Sequence, residues 1–162
     1  MPNKGQLAAV GIGILVMAIF VGLIVLKQRG STPHLAGEIT QIRTLGMDQA
    51  AAVAIVDFRF TNDSRYRFIV QSADLLVVDS KGETRKGAAV AASNTKELFE
   101  LFPALGTITA ESLVLKTRVE PGASRRAMLT ARFEISKAEL DARKKLVLQI
   151  TDLDGAVSEI AR

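Results

Sequence analysis

The sequence contains no cysteine, and only one histidine and one tyrosine among 162 residues. Without a thiol there is no disulfide, no cysteine nucleophile, no thiolate-held iron–sulfur cluster and no lipid attached through cysteine. His34 and Tyr66 alone leave little material for proton transfer near neutral pH. His34 lies beside Pro33 in a short linker-like stretch, where no nucleophile or orienting group accompanies it. No Gly-x-Ser-x-Gly turn occurs, and "GIG" at 11 to 13 lies inside an apolar run rather than between a strand and a helix. Asp152, Asp154 and Glu159 surround a glycine turn, but a calcium loop needs more oxygens at fixed offsets. The expectation is a protein that is not an enzyme, with no cofactor and no resident metal.

Charge is missing from one place in particular. Residues 7 to 26, "LAAVGIGILVMAIFVGLIVL", carry no ionisable side chain, whereas all 17 Asp and Glu lie beyond them. Wound as a helix at 1.5 Å per residue, such a run covers about 30 Å, the hydrocarbon thickness of a bilayer. A cleaved secretory signal has a shorter apolar region followed by small residues at its processing site. "KQRGSTPHLAGE" offers no such site. A short tail over 1–6 and a retained transmembrane helix over 7–26, a signal anchor, are therefore expected. Ala8, Gly11, Leu15, Ala18 and Gly22 fall on one helical face, and four of them are small enough to admit a neighbouring membrane helix closely. An integral membrane protein is the expected partner. Lys4 on one side, and Lys27 and Arg29 on the other, do not fix the orientation.

A linker over 27–37 leads to a domain over 38–162, in which apolar residues recur with period two. In "AIVDFRF", Ala54, Val56, Phe58 and Phe60 share one face, opposite Ile55, Asp57 and Arg59. "RYRFIV" puts Tyr66, Phe68 and Val70 together, and "LVLKTRV" does the same with Leu113, Leu115 and Val119. "RAMLTARFEI" turns Ala127, Leu129, Ala131, Phe133 and Ile135 inward, with Arg126, Thr130, Arg132 and Glu134 outward. "DLLVVD", "KLVLQI" and "AVSEI" supply further strands. Two short helices interrupt them: Asn94 precedes Glu97, and Ser136 precedes Glu139, each at the spacing of a capping box. Neither helix is long enough for repeated parallel crossovers. A mainly β, antiparallel two-sheet sandwich with short helices in its loops is predicted.

The order "VDFRFTNDS", "SADLLVVDSKGE", "VEPGASRRAMLTARFEI" and "KKLVLQITDLDG" resembles immunoglobulin-like domains of the telokin-like and late-embryogenesis-abundant-like kind carried by bacterial membrane-anchored proteins. The resemblance covers about residues 38 to 155 and rests on Asn62, Asp79, Gly82, Pro121, Gly122 and Phe133. It implies an immunoglobulin-like sandwich, no catalysis, and a location outside the cytoplasm.

Two surface features are candidate contacts. Arg65, Arg67, Arg125, Arg126, Arg143, Lys144 and Lys145 could meet an anionic surface if the fold gathers them. Nucleic acid is not expected, because the net charge of +4 is modest and spread along the chain. "ELFELFPAL" concentrates Leu98, Phe99, Leu101 and Phe102, as either a cap on the core or a docking surface for a partner. The function expected is that of a membrane-anchored interaction domain, an accessory or structural subunit of a larger complex. The alternative is a cell-envelope ligand-binding or sensing domain. That alternative would want exposed aromatics around a polar concavity, which one tyrosine and seven phenylalanines poorly supply, so a small-molecule ligand is not expected.

Overall fold

The computed structural model describes residues 33–162. The expected transmembrane helix over 7–26 and its packing face (Ala8, Gly11, Leu15, Ala18, Gly22) lie outside the described residues. Among the described residues no helix is long and apolar enough to cross a membrane.

The architecture is two facing antiparallel sheets. The first has the order β1 (Leu35–Gly46), β2 (Ala52–Asn62), β7 (Ser124–Phe133), β5 (Ala88–Ala89). The second runs β4 (Thr84–Lys86), β3 (Phe68–Val78), β8 (Lys145–Asp152), β9 (Val157–Ala161), with β6 (Arg118–Val119) pairing the start of β3. Helix α1 (Ala92–Leu101) and a 3₁₀ turn at Pro103–Leu105 lie between β5 and β6, and α2 (Lys137–Asp141) lies between β7 and β8.

Alternation decides which side chains meet between the sheets. Ala54, Val56, Phe58 and Phe60 of β2 face Phe68, Val70, Leu75 and Val77 of β3 and Leu146, Leu148 and Ile150 of β8 across one continuous core. Ala127, Leu129, Ala131 and Phe133 of β7 join them, as their period-two spacing predicts. Burying each of the larger side chains contributes about 1.5–3 kcal/mol. Phe58 and Phe60, two apart on one strand, stack with ring centroids 5.6 Å apart.

The sandwich closes along both sides. On one, Leu35 of β1 donates its N–H to the Ser158 hydroxyl of β9 at 2.9 Å. On the other, the chain leaves the second sheet after β4 and joins the first at β5, turning at Gly87, whose N–H donates to the Leu75 carbonyl at 2.8 Å. A Cβ at Gly87 would stand 2.7 Å from Cζ of Phe133 and 2.8 Å from Cβ of Ala131. Only glycine lets the backbone cross so close to the core.

Local structure departs from the sequence expectation at four places. Strand β1 starts at Leu35, within the stretch expected to be linker, and its first pairing is Leu35 with Asn62. Tyr66 does not share the inward face of Phe68 and Val70: it belongs to the turn before β3, which the Asn62 side-chain amide holds by donating to the Tyr66 carbonyl at 2.7 Å. Over 113–119 only Arg118–Val119 form a strand, because Lys116 takes a left-handed backbone (φ 64°) and the preceding residues turn, leaving Leu115 exposed. Helix α1 is capped by Ala91 rather than Asn94, with no side-chain cap bond. Its start is set instead by the strand before it, where Val90 donates its N–H to the Thr130 carbonyl of β7 at 2.9 Å. Ser136 and Glu139, by contrast, form a full capping box on α2.

The turns use carboxylates as expected of turn formers. Asp79 accepts the N–H groups of Lys81 (2.8 Å) and Glu83 (3.0 Å) through one oxygen and faces Arg85 with the other. Burial pushes its pKa up, but those bonds and the Arg85 charge outweigh burial and hold it below its ordinary value of 3.8. Glu139 and Asp141 are lowered too, Glu139 by the Ser136 N–H and hydroxyl, Asp141 by Lys137 and Thr44 against an opposing push from burial. A carboxylate depressed in the folded state contributes stability that is present above its unfolded pKa and lost as pH falls through the folded one. The sandwich should therefore lose stability below about pH 4. In thermal melts, Asp79→Asn should narrow the difference in midpoint between pH 7 and pH 3. An unchanged difference would show that the turn contributes nothing to the acid limb.

Candidate functional site

The outer face of the first sheet would ordinarily be wetted. Here Val53 and Ile55 of β2 and Met128 of β7 project from it, and they are buried beneath Phe99 of α1 and Leu105 of the 3₁₀ turn. Residues 90–113 form a strap over this face, with Leu45, Leu98 and Ala110 packed at its margins. Hydrogen bonds fix the strap to the free edge of β7: Leu113 donates its N–H to the Met128 carbonyl at 2.8 Å, and Met128 donates to the Glu111 carbonyl at 2.8 Å.

Two charged side chains lie under the strap. Arg43 of β1 and Asp57 of β2 form an ion pair whose side chains are only 9% and 6% exposed. The Arg43 guanidinium also donates to the carbonyls of Thr107 (2.9 Å) and Leu105 (3.3 Å), and stands 4.9 Å from the ring centre of Phe99. The arginine thus reads the strap's backbone, its aromatic ring and the sheet's carboxylate at once. Asp57 Oδ1 and Arg43 Nε are buried without partners, as is the Thr130 hydroxyl. Sequence reasoning placed Asp57 on the outer face and did not single out Arg43. The available signal was the pair of apolar residues, Val53 and Ile55, on the face that alternation marks as solvent-facing.

Beside this pair is a hollow of about 350 Å³ bordered by Glu38, Thr40, Asp57, Arg59, Thr109 and Arg126. Within it Arg59 is paired with Glu38 at 2.6 Å. Among the described residues no cluster of His, Asp and Glu could hold a metal ion. Asp152, singled out in the sequence, accepts the Ile69 N–H with one oxygen (2.6 Å) and the Asp154 N–H with the other (3.1 Å).

The four residues of "ELFELFPAL" separate. Phe99 is buried in the cluster under the strap and Leu98 packs at its margin, while Leu101 is 72% exposed and Phe102 is also exposed. The helix is a cap on one side and presents two apolar side chains on the other.

The seven basic residues do not form one patch. Arg65, Arg67 and Arg125 lie near the end of the sandwich where β1 begins, and Arg126 follows on β7 opposite Arg59. Arg67 is paired with Glu120 at 2.7 Å. Arg143, Lys144 and Lys145 lie at the opposite end, where β8 starts against Val78. There they border a second hollow of about 430 Å³ with Thr40, Asp141 and Arg162.

No family model matches the chain, and no curated protein does. Among solved structures, a β-sandwich protein from Clostridium difficile 630 is 8% identical, with a TM-score of 0.39, over 78% of this chain and 84% of its own. A conserved hypothetical protein from Bacillus anthracis is 11% identical, with a TM-score of 0.38, over 79% and 88%. The archaellum periplasmic stator protein FlaG from Sulfolobus acidocaldarius is 11% identical, with a TM-score of 0.34, over 81% of this chain and all of its own. Likeness at this level carries no argument about what the chain does.

Proposed function

We propose that this chain is a non-enzymatic, membrane-anchored interaction module, an accessory or structural subunit of a larger membrane complex. The observation that carries the reading is the close succession of two unlike parts. A twenty-residue apolar run ends at Leu26, and the first strand of a packed sandwich begins at Leu35. The polar chemistry of the sandwich also supports it, because Asn62, Asp79 and Asp152 are used to tie turns. Leu101 and Phe102, exposed on the strap, are the side chains proposed to meet a protein partner.

The sandwich is read as immunoglobulin-like. Lettered in chain order with β6 left out, its sheets become A-B-E-D and C′-C-F-G, the strand order of that architecture. The turn residues that resemble bacterial membrane-anchored domains favour the extracytoplasmic side.

Gentle extraction from the native membrane, native electrophoresis and mass spectrometry of the co-migrating chains test the proposal. Migration in a large defined complex is expected. Replacing Gly11, Ala18 and Gly22 together with Leu should reduce recovery of the partner at least about tenfold, since a close helix–helix contact tolerates no added bulk. Unchanged recovery would remove the helix face from the reading. The hollow beside Asp57 favours one second reading, an envelope ligand-binding domain. A monomer on the native gel, with a thermal shift on adding small molecules, would select it.

A further inference from the structure

The end of the sandwich where β1 begins carries an unusual surface. Hydrogen bonds gather its loops: the Asn62 side-chain amide donates to the carbonyls of Tyr66 (2.7 Å) and Val119 (2.8 Å), Lys116 donates to the Val70 carbonyl (2.7 Å), and Leu153 donates to the Ile69 carbonyl (2.9 Å). Leu35 pairs with Asn62 at the same end. From the tips of three of these loops Tyr66, Leu115 and Leu153 project, 52%, 59% and 59% exposed. Their backbones are tied into the sandwich, so the side chains cannot fold back into the core.

Lys116, beside Leu115, holds a left-handed backbone at φ 64°, where glycine or asparagine is the inexpensive residue. The surrounding structure holds it there, the Lys116 N–H donating to the Val70 carbonyl (2.7 Å) and the Val70 N–H to the Thr117 carbonyl (3.0 Å). Around the tips stand Arg65, Lys116, Arg118 and Arg125, all exposed and outside every ion pair among the described residues. The acids at this end are Asp63, Glu120, Asp152 and Asp154; Glu120 is already matched by Arg67, and Asp152 is buried in its turn, accepting the Ile69 and Asp154 N–H groups. Positive charge therefore predominates around three apolar tips.

We infer that this end of the sandwich rests on an anionic bilayer surface, with Tyr66, Leu115 and Leu153 at the headgroup boundary and Arg65, Lys116 and Arg125 against anionic headgroups. The inference rests on the anchored reading above. Under that reading only the eight residues 27–34 separate the apolar run from Leu35, a reach of at most about 29 Å when fully extended. Aromatic and aliphatic side chains flanked by basic ones suit the interfacial zone, where the apolar part is buried and the charge stays wet.

The natural absence of cysteine allows single-site labelling of the full chain. A fluorophore is placed on Asp154→Cys, beside Leu153, or on Ser80→Cys in the turn after β3 at the far end. The chain is reconstituted into phosphatidylcholine vesicles holding about 30% phosphatidylglycerol, with nitroxide on the lipid headgroups. Quenching at position 154 should exceed that at position 80 by about threefold or more, and Arg65→Glu with Lys116→Glu should abolish the difference. Equal quenching of the two labels in a chain that floats with the vesicles overturns the inference and leaves the anchor intact. An undiminished difference in pure phosphatidylcholine overturns the assignment to an anionic surface. A chain that fails to float overturns the anchor, and this inference with it.

Discussion

Asp57→Ala should cost about 3–5 kcal/mol of folding stability, because it strands the Arg43 guanidinium as an uncompensated buried charge. Arg43→Met should cost nearly as much, since it leaves the Asp57 carboxylate without its cation and the Leu105 and Thr107 carbonyls without their donor. The double variant Arg43→Met with Asp57→Leu should recover the part of that loss due to the stranded charge, the Leu105 and Thr107 carbonyls remaining without their donor. Two apolar side chains of similar size need no partner, and Phe99 and Leu105 of the strap and Met128 of β7 already line the site. Urea unfolding of the three variants gives the coupling directly. If the two single variants each lost less than about 1 kcal/mol, the pair would be behaving as a solvated surface bridge rather than a buried one. The same experiment asks whether the strap is held by its pin. With Arg43 gone and the core beneath intact, hydrogen exchange should accelerate in 92–113 before the strands respond.

Phe133→Ala should cost about 3–5 kcal/mol through the lost transfer energy and the cavity it leaves. The ring is buried against the point where the chain changes sheets, so the damage is coupled to Gly87. Gly87→Ala alone should cost about 1–3 kcal/mol, because its new Cβ would press on Cζ of Phe133 and on Cβ of Ala131. Combining Gly87→Ala with Phe133→Leu should cost less than the sum of the two singles, the smaller side chain making room for the methyl. Strict additivity in chemical denaturation would mean that the close approach is relieved by backbone movement and that the ring is not what excludes a side chain at 87.

The sandwich was legible where one face of a strand is core and the other is water. Ala127, Leu129, Ala131 and Phe133 point inward as the period of two requires, Asn62 ends β2 and ties the turn after it, and Asp79 and Gly82 stand in a turn. Legibility failed where a third layer intervenes. Ile55 and Asp57 alternate correctly with the core residues of β2, yet both are buried, because a strap from 90–113 lies on the face that alternation leaves to solvent. A pattern along one strand cannot report a cover that arrives from forty residues away. Tyr66 and Leu115 failed for the opposite reason. Each sits in phase with a strand, but Asn62 and the left-handed Lys116 end the extended backbone and turn the side chain outward. The seven basic residues, which could meet one surface only if the fold gathered them, are carried by the topology to opposite ends, a placement that no pattern along the chain reports.

Under the anchored reading proposed above, identical domains on one membrane would meet each other's strand margins far more often than in dilute solution. Backbone N–H and carbonyl groups left open along a strand are a template for pairing with another copy. The far margin of β7 is occupied by Ala88, Ala89, Val90, Glu111 and Leu113. The outer margin of β1 is interrupted by the irregular register between Ile39 and Gln41, and the Arg162 guanidinium occupies the Thr40 carbonyl at 3.1 Å. The remaining borders are β9, five residues long, β4, a Thr-Arg-Lys tripeptide, and β5, a pair of alanines. The crossing at Gly87 thus leaves the two borders on its side of the sandwich, β4 and β5, as pieces too short to recruit a neighbour.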